Sequence, residues 1–303
     1  MQTISRGELQ AALEQVERAI GNHLDWYDAL ARTLVCRLPV DMRRASPTAH
    51  RECAFGLWYY NDASAVVRAH PAFAVIEAQH QAIHDAASSL LRQSQQGGID
   101  APAYDAFTDG VARFRLELES LRAELQAMLG SLDPLTGAHN RIGMLAWLRT
   151  QQQFVRRGVM SCGLAMVDLD HFKSINDTYG HPAGDAALSE VARYLTEHVR
   201  SYDRVYRYGG EEFLLCLPAT EPEVSYALTD RLREGVARRA IEIVAGQVVI
   251  QCQISCGVAQ LDAELPVESS IERADQALYR AKSTGRNRTC AWEDGPARPP
   301  EAG

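Results

Sequence analysis

The sequence predicts an α+β protein: a helical bundle in the first 130 residues, then a mixed β-sheet with flanking helices. Three observations carry this. Apolar residues recur at helical spacing up to about Gly130, with no strand-like alternation. Beyond it, short β-branched and aromatic runs alternate with helical stretches. The 303 residues are also long enough for two domains, at roughly 100–200 residues each.

Residues 5–36 read as a helix, and "RLPVDMRRASPT" after it as a loop. A second helix starts near His50 and includes "CAFGLWYY"; a third runs from about Ala72 to Gln95, where "QQGGIDAPA" breaks it. A fourth extends from Tyr104 towards Leu132. It carries Phe114, Leu118, Leu121, Leu125, Met128 and Leu132, spaced 4, 3, 4, 3, 4. Such a heptad seam fits the buried face of a bundle helix, a parallel dimer stalk, or one after the other. Next come the strand candidates "CGLAMVDLD", "RVYRYGG", "EEFLLCLP" and "VVIQCQISCGVAQL", with helices near 184–200, 222–239 and 271–283. The expected division is 1–130, 131–292 and a disordered tail, "EDGPARPPEAG", over 293–303.

Composition narrows the function classes. Apolar content of 46% and charged content of 23% are ordinary for a globular protein. A net charge of −8 with no basic stripe argues against nucleic acid as a partner. No apolar run nears the ~20 residues of a membrane helix, and the N-terminus lacks a secretion signal, so the expectation is a cytoplasmic protein with no membrane partner. Seven scattered cysteines suit free thiols or a metal ligand better than disulfides. Of 31 basic residues only Lys173 and Lys282 are lysines. A lysine is a compact charge suited to a phosphate oxygen.

One turn raises a chemical question. In "VYRYGGEEFLLCLP", Gly209 and Gly210 suit a hairpin that needs positive φ, but the adjacent acids Glu211 and Glu212 repel each other. Asp168 and Asp170 close the strand "LAMVDLD". A carboxylate at a strand end facing another at a hairpin turn is a common way to hold Mg²⁺, completed by water and phosphates. Two such ions about 3.5–4 Å apart would clamp a phosphoryl transfer. For other positions plainer roles stay open: Asn176 or Asp185 as helix caps, and Lys282 with Arg286 as cations at a helix end.

"DPLTGAHNR" (133–141), "DLDHFKSINDTYGHPAGD" (168–185), "GGEEF" (209–213) and "ALYRAKSTGRN" (277–287) together resemble the GGDEF diguanylate cyclases. The resemblance covers about 131–292 and departs mildly at Ala138, where the family has a larger apolar residue. It implies a palm-like sheet related to nucleotide cyclases. It also implies a homodimer in which each domain binds one GTP and the pair makes cyclic di-GMP and pyrophosphate. Carried over, Asp168, the Leu169 carbonyl and Glu211 hold two Mg²⁺ (or Mn²⁺), with Glu211 also the base for the ribose 3′-hydroxyl. Lys173 neutralises phosphate charge. Asn176 and Asp185 read guanine with His181 nearby, Phe172 frames the pocket, and Lys282 and Arg286 hold the outer phosphates. "RSYD" (200–203) matches the family's inhibitory site, where Arg200 and Asp203 bind cyclic di-GMP, with Arg231 as a second contact.

In the helical half, "HLDW", "CAFGLW" and "HQAIH" lie on different predicted helices. His80 and His84, four apart, share a helix face. With His23 and Cys53 they would make a His₃Cys set that favours zinc. The pattern resembles the chemoreceptor zinc-binding domain, which implies one Zn²⁺ per N-terminal domain on His23, Cys53, His80 and His84. It leaves Trp26, Gly56 and Trp58 to packing. The implied whole is a zinc-regulated diguanylate cyclase. The alternatives are a non-catalytic receptor for GTP or cyclic di-GMP, and a zinc-sensing interaction module. Receptors of that kind usually lack one of the acids that Asp168 and Glu211 provide here.

Overall fold

The structure, a computed structural model, describes residues 4–41, 45–244 and 248–293. The tail expected to be disordered lies, from residue 294, outside the described residues. The chain divides into two compact units, Ile4–Gly130 and one beginning at Ser131.

The first unit is all helix. A capping box starts α1 (Arg6–Val35): the Glu8 N–H donates to the Ser5 hydroxyl at 3.2 Å, and the Ser5 N–H donates to the Glu8 carboxylate at 2.8 Å. Helix α1 buries Leu9, Leu13, Val16 and Leu30.

The helix expected from His50 is broken into pieces. Here α2 (Ala49–Glu52) ends at Cys53, which is extended at φ −69° and ψ 158°; α3 (Ala54–Leu57) then runs into a π-helical turn at Trp58–Asp62, and α4 (Ala65–Arg68) comes next. Cys53 thus caps α3 rather than lying within a helix. Its sulfur accepts the Gly56 N–H at 3.2 Å, an interaction that a continuous helix would forbid. Gly56 makes the crossing possible, because a Cβ there would lie 2.0 Å from the His50 carbonyl oxygen.

Long helices α5 (Ala72–Gln95) and α6 (Ala101–Gly130) complete the unit. The heptad seam of α6 divides. Phe114, Leu118, Leu121 and Leu125 are at most 2% exposed and belong to the unit's own core, whereas Met128 is 42% exposed. Leu132 lies past the helix and forms an antiparallel β-bridge with His139.

The second unit is a five-stranded sheet in the order β2-β3-β1-β6-β7, with a separate two-stranded sheet of β4 and β5. Its strands are β1 (Cys162–Leu169), β2 (Arg204–Arg207), β3 (Glu212–Pro218), β4 (Ile241–Val244), β5 (Val248–Ile250), β6 (Ile254–Gln260) and β7 (Thr289–Ala291). Helices α7 (Met144–Arg156), α8 (Phe172–Tyr179), α9 (His181–His198), α10 (Pro222–Ala237) and α11 (Val267–Ser283) flank them. All pairs of the larger sheet are antiparallel except β6 with β7. The long run "VVIQCQISCGVAQL" therefore divides into β5 and β6, which belong to different sheets.

Strand β1 is buried along its whole length because both faces are covered. Val167 and Leu169 pack in the layer that includes α9, and Leu164 and Met166 in the layer that includes α11. Continuous apolar sequence is the expected signature of such a central strand. Gly257 brings α11 hard against β6, since a Cβ there would stand 2.0 Å from the Leu278 nitrogen.

The α6 seam gives a direct test of packing. Leu121→Ala should destabilise the N-terminal unit by about 2–5 kcal/mol, whereas Met128→Ala should stay within about 0.5 kcal/mol. Urea unfolding monitored by circular dichroism measures both; equal costs would show that the seam is not buried within the unit.

Candidate active site and metal centre

Register places the strand-end acid beside the hairpin acids. Asp168 pairs with Glu212 in the β1–β3 ladder, and the Leu169 N–H donates to the Glu211 carbonyl at 3.3 Å. The hairpin closes where the Tyr208 and Gly209 N–H groups donate to the Glu212 carbonyl at 2.8 and 3.2 Å. Neither glycine adopts the positive φ expected from the sequence. Gly209 is needed for space: a Cβ there would lie 2.5 Å from a Glu212 carboxylate oxygen.

Burial raises the Asp168 carboxyl above the ordinary range, even though Lys282 contacts its Oδ2 at 2.8 Å. Asp170 and Arg286 act more weakly, the first raising and the second lowering. Glu211 and Glu212 are also raised, first by burial and then by the charge of Asp168. Three carboxyls thus converge, with Lys282 in contact with Asp168 and Arg286 and Arg141 acting more weakly from farther off. Such a site is compatible with a divalent metal held by two acids and a backbone carbonyl.

Asp170, the other acid of the strand end, is structurally committed. It is buried, and its Oδ1 accepts the Ser255 hydroxyl at 2.7 Å while its Oδ2 accepts the Asn287 N–H at 2.9 Å. The second bond depends on a left-handed run after α11, with Gly285 at φ 125°, Arg286 at 59° and Asn287 at 43°. Arg286 therefore lies beyond the helix and not on its last turn with Lys282.

In the helical unit, one ligand atom each from Cys53, His80 and His84 all lie within 4.8 Å of one another, with Cys53 Sγ 3.4 Å from His80 Nε2. His23 falls outside that trio but its ring lies 5.6 Å from that of His80. Both ring nitrogens of His84, and His23 Nε2, are buried without a hydrogen-bond partner among the described residues. Unpartnered buried polar atoms are costly and call for an explanation. Burial pushes these imidazoles down, His23 to about 4, His80 to about 2 and His84 to about 3, so all are neutral at pH 7. Neutral imidazoles beside a thiol are the donors zinc prefers, so the residues fit that metal.

Comparison with known proteins decides the family. The diguanylate cyclase GGDEF domain matches over residues 131–288, and the chemoreceptor zinc-binding domain over 23–91. The chain is 30% identical over 293 residues to diguanylate cyclase DgcZ of Escherichia coli, covering 95% of each.

The chain belongs to the GGDEF diguanylate cyclase family.

Solved members agree. The coiled coil and GGDEF domain of DgcB from Caulobacter crescentus, in complex with c-di-GMP, matches with TM-score 0.54 and 31% identity, over 63% of this chain and 97% of that one. SiaD of Pseudomonas aeruginosa, in complex with its activator SiaC, matches with TM-score 0.53 and 29% identity, over 80% and 99%.

The other motif residues of this GGDEF chain separate into groups. Phe172, Lys173 and Asn176 lie on α8, and His181 and Asp185 on α9. Neither Asn176 nor Asp185 caps a helix; the caps are His171 and Gly180, so the plainer role fails for both. Arg200 and Asp203 are joined: the Arg200 N–H donates to Asp203 Oδ2 at 2.8 Å, and the Arg200 guanidinium donates to the Tyr202 hydroxyl at 2.9 Å. Asp203 Oδ1 is buried without a partner among the described residues. Arg231 is exposed on α10, with no hydrogen bond or ion pair to either residue among the described residues.

Sequence reasoning missed the anchor of the hairpin. Arg207 donates to both Asp133 oxygens, at 3.0 and 3.2 Å, and to the Gly210 carbonyl at 2.9 Å. The signal lay in "DPLT", where Asp133 also accepts the Thr136 N–H and hydroxyl in a side-chain turn.

The histidine cluster predicts a pH effect. With folded pKa values below the ordinary 6.5, the folded unit binds fewer protons than the unfolded chain. Its stability is therefore present above pH 6.5 and lost progressively below it. The metal-stripped protein should melt several degrees lower at pH 5 than at pH 7.5, and His80→Phe should blunt the difference. A pH-independent melting temperature would show that the imidazoles are solvated.

Proposed function

We infer that the protein is a zinc-regulated diguanylate cyclase that condenses two GTP into cyclic di-GMP and two pyrophosphates. The observation that carries this is the convergence of Asp168 and the Glu211–Glu212 pair, with raised carboxyls, beside Lys282.

Mg²⁺ or Mn²⁺, two per site, held by Asp168, the Leu169 carbonyl and Glu211, would supply Lewis acidity to the phosphoryl group. A carboxyl pushed above the ordinary range is better matched to proton transfer near neutrality, which suits Glu211 to accept the proton of the ribose 3′-hydroxyl. Asn176 and Asp185 bind the guanine edge, with His181 beside them and Phe172 framing the ring. Lys173, Lys282 and Arg286 take the phosphates, with Gly209 and Gly210 letting the hairpin approach. Lys282 meanwhile compensates Asp168, holding a buried carboxylate ready for a cation.

One domain holds one GTP, so the reaction requires a homodimer. Cyclic di-GMP closes the loop as inhibitor, bound by Arg200, Asp203 and Arg231; Arg200 and Asp203 are already held together through the Arg200 N–H. His23, Cys53, His80 and His84 would hold one Zn²⁺ and so tie α1, the Cys53 turn and α5 together, favouring one packing of the unit. Zinc represses in this reading.

Purified protein given GTP and Mg²⁺ should release cyclic di-GMP and pyrophosphate, and Glu211→Gln should lower the rate at least about a hundredfold. Chelation that demonstrably strips zinc should raise it. A product other than cyclic di-GMP, or a fully active Glu211→Gln variant, overturns the assignment.

Arg200→Ala should leave the initial rate intact and allow more product to accumulate before the reaction stalls. Unchanged accumulation would count against the inhibitory site.

A further inference from the structure

Among the described residues, two openings lead toward buried donors of the helical unit. One, about 550 Å³, runs between α1 and α6 and reaches only His23. Its walls are mainly apolar, and its two charged residues, Arg115 and Glu119, cancel. The other, about 470 Å³, reaches both Cys53 and His84. Asp25, Asp41 and Glu52 line it, with no lysine or arginine among its lining residues.

The inner end of the second opening is ready for a metal. His84 is 4% exposed, and neither ring nitrogen has a hydrogen-bond partner among the described residues. The Trp26 ring packs 4.3 Å from the His84 ring and fixes its orientation. At the outer end, Glu52 is exposed and accepts the Thr48 hydroxyl at 2.7 Å, which holds its carboxylate in place. Asp25 is likewise exposed, on α1.

We propose that this acidic vestibule is the entry route for zinc, in which Asp25, Asp41 and Glu52 capture the hydrated dication and pass it to Cys53 and His84. The inference rests on the zinc reading above and adds the path. The gradient of donors gives it direction. Carboxylates at the mouth are hard, weakly retaining ligands for Zn²⁺, whereas a thiolate and neutral imidazoles inside hold it tightly. A cleft lined by one sign of charge also raises the local concentration of the opposite ion. The vestibule therefore sets the association rate and leaves the dissociation rate to the inner ligands. The neutral apolar opening offers a dication neither step.

The test is zinc association by stopped flow on the metal-stripped full chain, with dissociation into excess chelator measured separately. The double variant Asp25→Asn/Glu52→Gln should bind zinc roughly tenfold more slowly at low salt. Its dissociation rate should stay within about twofold of the unaltered protein, because charges at the rim act mainly on association. Salt should slow association of the unaltered protein and barely change that of the variant. Glu119→Gln, at the other opening, should leave association unchanged. Full zinc uptake with unchanged rates in the double variant, or an equal slowing by Glu119→Gln, overturns the route alone. Failure of the unaltered chain to take up one zinc overturns the zinc reading and the route together.

Discussion

The second unit depends on a carboxylate held at the end of a strand that water does not reach. Strand β1 is covered on both faces, so Asp168 emerges from the core with its charge unscreened and its pKa raised. Lys282 reaches it at 2.8 Å because α11 lies directly on β6 at Gly257. The hairpin acids then face the same spot through the β1–β3 register. In solvent these acids would separate and their repulsion would be screened. Inside the fold they cannot, and all three carboxyls are held above the ordinary range.

The surroundings keep that arrangement rigid. Asp170 joins β1 to β6 and to the loop after α11 through two hydrogen bonds, which commits the strand end's second acid to structure. Arg207 ties the hairpin tip to Asp133. Both charged groups serve position, and neither belongs to the converging set of Asp168, Glu211 and Glu212.

The helical unit works by the same logic of unmet bonding. His23 and His84 sit in a core with ring nitrogens that no group among the described residues satisfies. Breaking the helix at Cys53 aims a thiol at His80. Without a metal this is a destabilised core, and a metal held by these donors would tie together helices from distant parts of the unit. A sensor needs such a dependence, since a ligand shifts a conformational equilibrium only by as much as it favours one packing over the other.

The sequence alone determined the two-part architecture, the long helices, the hairpin and the family. Those depend on periodicity and short spacings, which are local. Helix α5 was legible to the residue because Ala72–Gln95 is a long amphipathic run with a glycine break. The break at Cys53 was not, because local propensity favours a continuous helix and only the close crossing permitted by Gly56 interrupts it. The seam of α6 did not reveal that its own bundle fills Phe114 to Leu125, since a heptad looks the same whichever partner covers it. Likewise the tertiary structure, not the spacing, separated Asp168 from Asp170 and assigned Asp133 and Arg207 to anchoring. Their partners lie tens of residues away, and which charge meets which is settled only when the sheet register and helix packing close around them.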